Sequence, residues 1–308
     1  MTAHASHADL AMQAFPEWVA SKQQRIEGLL ELCLPPASTA PTTLHSAMRY
    51  SALDGGKRIR ALLCYAAAEL TDCETQIADA AACAVELIHA NSLVHDDMPC
   101  MDDDDLRRGK PSCHKQFDDA TALLVGDALQ TLAFEVISDA KLYSNSQLTA
   151  CQQMRLVNLL AKATGSAGMA GGQGIDLASV GKTLSQAELE TMHQMKTGAL
   201  IQASILLGAI GANDAQLLAI RNFANAVGLA FQVVDDILDV EADSDTLGKT
   251  AGKDADSNKP TYVSILGLGA AKQYAKTLYD QAISALAPLG SKAQRLRELA
   301  GFVTQRSF

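Results

Sequence analysis

The stretch AVGLAFQVVDDILDV, Ala226–Val240, sets three aspartates into an apolar run at the spacing of a single helix face. Gln232, Asp235, Asp236 and Asp239 stand at i, i+3, i+4 and i+7, positions that are neighbours on an α-helix. A carboxylate beside apolar packing is costly unless something cationic meets it. The run therefore predicts a helix with a cation at its acidic face.

A second acidic cluster, Asp96-Asp97-Met98-Pro99-Cys100-Met101-Asp102, lies about 140 residues upstream. It ends the apolar run Ala78–Val94, and Pro99 rules out a regular helical continuation. His89, Ser92 and Asp96 share a face by the same spacing rule. Two helices could thus aim carboxylates at one cavity. Oxygen ligands without a Cys/His set suit magnesium or manganese rather than zinc. Neither cluster has the alternating Asp/Asn and central glycine of a calcium hand. Either cluster alone would also suit a solvated acidic helix end, and so the basic residues near them matter.

Asp103, Asp104 and Asp105 extend the first cluster and run into Leu106-Arg107-Arg108-Gly109-Lys110-Pro111; upstream lies Gly55-Gly56-Lys57-Arg58-Ile59-Arg60. Arginine binds phosphate bidentately and lysine binds it as a point charge. Lys196-Thr197 interrupts the apolar run Met192–Ile210, and Lys249, Lys253 and Lys259 follow the second cluster. Acids would repel a phosphate that the arginines attract. Metal ions bridging carboxylate to phosphate remove the conflict, and a diphosphate uses all these parts together.

With 308 residues, 48% of them hydrophobic and only 5% aromatic, the chain reads as Ala/Leu-rich helices around a sizeable core. A net charge of -10 argues against a nucleic-acid partner. Seven cysteines without a CxxC pair read as reduced thiols of a cytoplasmic protein. Met1-Thr2-Ala3-His4 lacks the start of a signal peptide, and no run is expected to reach the roughly 20 apolar residues of a membrane span.

No proline falls between residues 112 and 259, leaving room for several full-length helices. The expected helices are 8–32, 42–54, 57–70, 76–97, 119–141, 146–164, 185–210, 213–240, 261–266, 270–286 and 291–301. With no alternating strand pattern and no linker, residues 1–308 are expected to form one all-α domain. The glycine-rich stretch GSAGMAGGQG, 165–174, follows no strand and lacks the Lys-Ser/Thr of a phosphate loop. It is expected to let helices approach closely or break at the cavity rim, with Gln173 and Asp176 as supports of the site.

The blocks GGKRIR (55–60), IHANSLVHDDMPCMDDDDLRRGKPSCH (88–114), GMAGGQGIDL (168–177), MKTGAL (195–200), FQVVDDILD (231–239) and LGK (247–249) occur in this order. Together they resemble the trans-isoprenyl diphosphate synthase family, most closely its bacterial farnesyl diphosphate synthase branch. The resemblance implies an all-α, isoprenoid-synthase-type helical bundle around a central cavity, a homodimer, and three magnesium ions, with manganese as a substitute. It implies that Asp96, Asp102 and Asp235 hold the metal, with Asp97 and Asp239 in support. Arg107, Lys196 and Lys249 would bind the diphosphate of an allylic substrate, with Thr197 and the Gln232 amide oxygen beside the allylic cation. Lys57, Arg60, His89 and Arg108 would hold isopentenyl diphosphate. The departing diphosphate takes the final proton in this family, so no protein base is needed.

Two positions depart from the family pattern. Ala61 stands where most relatives have proline. Asn91, five residues and about 7 Å of helix before Asp96, stands where farnesyl-producing bacterial relatives carry an aromatic residue. With Ser92 it is the chain-length candidate, and its smaller side chain raises a geranylgeranyl product as the alternative. A terpene cyclase would carry an Asn/Asp-rich second motif, and a non-catalytic subunit would have lost ligands from one motif. His95 and His114 receive no role from the sequence.

Overall fold

The computed structural model describes residues 13–241 and 260–304. Helices α1 (Phe15–Cys33), α2 (Thr42–Ala52), α3 (Ile59–Leu70) and α4 (Thr75–Asp96) lead to a two-residue ladder, β1 (Leu106–Arg107) and β2 (Lys110–Pro111). Then follow α5 (Cys113–Gln116), α6 (Asp119–Ser138), a 3-10 turn (Ala140–Tyr143), α7 (Ala150–Thr164), α8 (Met169–Ser179) and α9 (Gln186–His193). A π-helical turn (Gln194–Gly198) runs on into α10 (Ala199–Gly208), and α11 (Asp214–Glu241) closes the first described segment. The second holds α12 (Tyr262–Leu266), α13 (Leu268–Ala285), a 3-10 stretch (Ala287–Ala293) and α14 (Gln294–Thr304).

The architecture is the expected all-α bundle. Helix α4 runs through its middle, packed against α3, α6 and α10, while α11 packs against α10 and α13. Small side chains make this possible: Ala78, Ala81, Ala82, Cys83 and Ala84 of α4 and Ala61, Ala66, Ala67 and Ala68 of α3 are all buried. Between them Leu62, Leu63, Leu87 and Ile88 are almost wholly covered. Burial of each such side chain stabilises the fold by about 1.5–3 kcal/mol. Helix starts carry their own signals, with capping boxes at Thr149/Gln152, Ser185/Glu188 and Thr261/Ser264 and an Asp118 cap on α6.

Four expectations need correction. Residues 169–179, left outside the expected helices, form α8, because the glycines admit a neighbouring backbone that larger side chains would exclude. The 185–210 helix is not uniform but carries the π turn at 194–198. The chain also makes a strand pair, a hairpin closed by Arg108 and Gly109, both at positive φ, as a tight hairpin turn demands. By length and composition, Thr75–Asp96, Asp119–Tyr143 and Asp214–Glu241 are apolar enough to cross a membrane, contrary to the expectation that no run would be. Much of their apolar surface faces inward, with 78% and 61% of the apolar windows of α4 and α11 buried but only 33% of that in the α6 segment.

One buried ion pair fixes the approach to the cavity. Arg58, in left-handed conformation just before α3, places Nη1 3.2 Å from Glu86 Oε2 of α4, donates to the Ala52 carbonyl at 2.7 Å and pairs with Glu27 of α1. The Ala61 N–H donates to the other Glu86 oxygen at 3.0 Å. Glu86 was legible as a charge inside an apolar helix. Its role in holding the start of α3, which carries Arg60, had no signal in the sequence.

Candidate active site

A cavity of about 330 Å³ opens among α3, α4, the hairpin, α8, the π turn and α11. His89, Ser92, Leu93 and Asp96 of α4 line it together with Arg60, Arg107, Arg108, Met169, Gln173, Lys196, Thr197, Phe231 and Asp235. The i, i+3, i+7 face of α4 and Asp235 of the α11 acidic face therefore meet across one space.

Lys196 sits between two acids, its Nζ 2.6 Å from Asp176 Oδ2 and 3.5 Å from Asp96 Oδ2. Gln173 Nε2 donates to the other Asp96 oxygen at 3.0 Å. Burial pushes the Asp96 carboxyl above its usual range; Lys196 opposes the shift and the charge of Asp102 adds to it. Burial also works against the Lys196 ammonium, but Asp96 and Asp176 outweigh it and hold Lys196 protonated. Gly172 lets the π turn come this close, since a Cβ there would lie 2.1 Å from the Lys196 backbone nitrogen.

The basic side of the cavity is built from two loops. The Arg108 guanidinium lies on the Gly55-Gly56 backbone, where a Cβ on Gly55 would fall 1.9 Å from Arg108 Nη1. Burial and then the neighbouring arginines, Arg60 first, hold His89 well below the ordinary histidine range, so its ring is neutral. Among the described residues, the buried His89 Nδ1 and Arg60 Nε have no hydrogen-bond partner. Two such atoms at a cavity are a provision for a ligand that accepts and donates there.

Several expected site residues lie elsewhere. Asp97 is buried and faces Arg107, which bonds it through Nε at 3.1 Å and through Nη2, while Arg107 also reaches Asp104 at 3.3 Å. Its carboxylate is thereby committed to an arginine rather than to the cavity. Asn91 is turned away as well, its Nδ2 donating to the Gly126 carbonyl of α6 at 3.0 Å. Gln232 stands behind Thr197, accepting its hydroxyl at 3.1 Å, and Asp236 is buried against Tyr262. Asp102 and Asp239 are half-buried outside the lining, and Lys57 is exposed. Lys249 and the LGK block fall outside the described residues. The apolar wall of Leu93, Met169 and Phe231 went unassigned in the sequence, although Phe231 stands one helical turn before Asp235.

Away from the cavity, Asp103, Asp105 and His114 bring possible metal-ligating atoms within 4.8 Å of one another. There the Lys115 ammonium already stands 2.9 Å from Asp105 and 3.6 Å from Asp103.

A family profile described as polyprenyl synthetase matches residues 41–297. The chain is 45% identical over 299 residues to a farnesyl diphosphate synthase of Haemophilus influenzae, covering 96% of this chain and 99% of that one. It is 47% identical over 270 residues to a chloroplastic geranylgeranyl pyrophosphate synthase of Catharanthus roseus, covering 86% and 74%. A geranyltransferase of Helicobacter pylori, solved in complex with magnesium and isoprenyl diphosphate, superposes with a TM-score of 0.82 at 31% identity, covering 96% and 99%.

Proposed function

The chain belongs to the polyprenyl synthetase family, and on that premise we propose that it is a magnesium-dependent prenyltransferase that condenses isopentenyl diphosphate with dimethylallyl or geranyl diphosphate to give farnesyl diphosphate. The observation that carries this reading is a single cavity with carboxylates from two helices on one side and Arg60, Arg107 and Arg108 on the other, where His89 Nδ1 and Arg60 Nε lack hydrogen-bond partners among the described residues.

The donor set fits the metal. Asp96 and Asp235 offer hard carboxylate oxygens at one cavity, the donor type that magnesium takes. We assign Asp96, Asp102 and Asp235 to the metal, with Asp239 in support and Asp97 acting through Arg107. Magnesium there supplies positive charge to the leaving diphosphate. Arg107 and Lys196, with Lys249, bind that allylic diphosphate; Arg60, Arg108 and His89, with Lys57 at the entrance, hold isopentenyl diphosphate. As the allylic carbon–oxygen bond breaks, the positive carbon faces Thr197, with Gln232 behind it. Leu93, Met169 and Phe231 keep water from it. The isopentenyl double bond supplies the electron pair of the new carbon–carbon bond, and its proton leaves to the departed diphosphate.

The farnesyl product is supported by farnesyl diphosphate synthase relatives that are matched over 99% of their length; Asn91, pinned to Gly126, stays outside the cavity lining and supplies no floor of its own. We read residues 1–308 as one domain, supported by a main core that draws on residues from Trp18 to Val303 and a smaller one around Val233 and Tyr262, the two joined by α11, which contributes to both. Homodimerisation through α6 is supported by Leu123 and Leu124, 49% and 54% exposed on that apolar helix. Seven free cysteines support a cytoplasmic setting.

Incubation with magnesium, isopentenyl diphosphate and, separately, dimethylallyl, geranyl and farnesyl diphosphate tests the reading. Farnesol is expected after dephosphorylation of the first two mixtures. Geranylgeraniol would replace the product assignment, and no product from any starter would sink the enzymatic reading.

A further inference from the structure

We propose that Asp236 is a positioning residue that sets the hydrogen-bond polarity of Thr197, so that the hydroxyl oxygen rather than its proton faces the reacting carbons. This rests on the prenyl-transfer reading given above.

Asp236 is 5% exposed and does not line the cavity, unlike its neighbour Asp235. Its Oδ2 accepts the Tyr262 N–H at 2.8 Å, and its Oδ1 accepts Gln232 Nε2 at 3.1 Å. A carboxylate offers only acceptors, so of the two ends of the Gln232 amide only the NH2 can face it. The Gln232 oxygen is thereby committed to the other side, where it accepts the Thr197 hydroxyl at 3.1 Å. Thr197 has one proton to give, and Gln232 takes it. What Thr197 presents to the cavity is oxygen lone pairs.

The polarity originates at the Asp236 carboxylate, which accepts at both oxygens: the Tyr262 N–H donates to one and Gln232 to the other. Tyr262 opens α12, and the Thr261 capping box fixes that helix start. The Tyr262 N–H holds Asp236 in place, and the run Asp236, Gln232, Thr197 carries the acceptor polarity of the carboxylate to the cavity wall. A fixed oxygen dipole facing a carbon that becomes positive stabilises the transition state without reorganising. The reversed dipole repels it.

Asparagine at 236 keeps the shape and reverses the chain. The Tyr262 N–H still needs an acceptor, so the asparagine oxygen turns to it and the asparagine NH2 turns to Gln232. The Gln232 amide then flips, its NH2 donates to Thr197, and the displaced Thr197 proton turns towards the cavity. Direct metal holding by Asp236 makes a different demand, a higher magnesium requirement in the same variant.

The test is a double-mutant cycle at saturating magnesium with geranyl and isopentenyl diphosphate. Asp236→Asn and Thr197→Val are each expected to lower kcat about 10²-fold, with the KM for isopentenyl diphosphate little changed. The double variant should be no worse than either single one, although the two side chains act through Gln232. In a Gln232→Leu background Asp236→Asn should have no further effect. Multiplying losses, or an increased magnesium requirement in Asp236→Asn, would overturn the proposal.

Should Asp236→Asn fail to fold, Gln232→Glu serves instead. Its carboxyl keeps the bond directions only while protonated, so kcat of this variant should fall with rising pH relative to the parent enzyme. A profile parallel to the parent would overturn the relay. Turnover by the parent protein is the separate control: no product there sinks the prenyl-transfer reading, whereas an active parent with a multiplicative cycle sinks only the relay.

Discussion

The Lys196 ammonium donates to Asp176 at 2.6 Å while standing 3.5 Å from Asp96, so one half-buried cation joins acids from α4 and α8. Removing Asp96 leaves Lys196 paired, and the fold should tolerate it. Asp96→Ala and Asp235→Ala are each expected to unfold within a few degrees of the parent while turnover falls by a factor on the order of 10³. Thermal unfolding and a product assay check both halves, and retained activity in either variant removes the metal assignment.

Arg108 owes its place to the bare backbone beneath it. Gly55→Ala puts a methyl group where Nη1 now lies and must move the guanidinium. The expected result is a KM for isopentenyl diphosphate raised at least 10-fold with the KM for the allylic substrate near the parent value. Equal effects on both substrates would contradict the division of the two diphosphate sites.

Acid should unfold this protein partly through its buried histidines. His193, stacked on Tyr262 with a ring separation of 5.4 Å, is lowered to about 4 by burial, and His89 is also depressed. The unfolded chain takes up these protons near pH 6.5 while the native state refuses them. Stability is therefore complete above about pH 6.5 and declines as pH falls towards 4, by about 3 kcal/mol for His193. His193→Phe, which keeps the stack, should flatten this limb in urea titrations between pH 4 and 7.

Asn91 separates packing from product length. Asn91→Ala loses the bond to Gly126 but removes nothing that lines the cavity, so stability should fall while the product stays C15. Asn91→Tyr overfills a position only 4% exposed and should cost about 1–3 kcal/mol, with the product no longer than C15. Product mass and urea unfolding check both variants.

The helix faces were legible because their period is regular: His89, Ser92 and Asp96 meet Asp235 as the spacing implies. What a face points at is decided by partners the spacing does not contain. Asp97 was assigned to support the metal but found Arg107, ten residues on in the first strand of the hairpin. Asn91 was placed under the substrate but found the Gly126 carbonyl on α6. Glycines 168, 171, 172 and 174 were expected to admit a close approach or to break the helix; Lys196 arrives against Gly172 and 169–179 stays helical, a choice that propensity, which counts only the cost of glycine, does not make. Gln173 and Asp176, by contrast, stand beside Asp96 and Lys196, where the sequence expected supports of the site.

The π turn at Gln194–Gly198 is one residue too many for an α-helix, and it carries Lys196 and Thr197. Such surplus chain is less favourable than regular helix and persists only where its neighbours hold it. Deleting one residue would let α9 and α10 fuse into an ordinary rod, with a gain in thermal tolerance and a loss of chemistry. In this helix the working part is the irregularity, and selection for robustness alone would erase it.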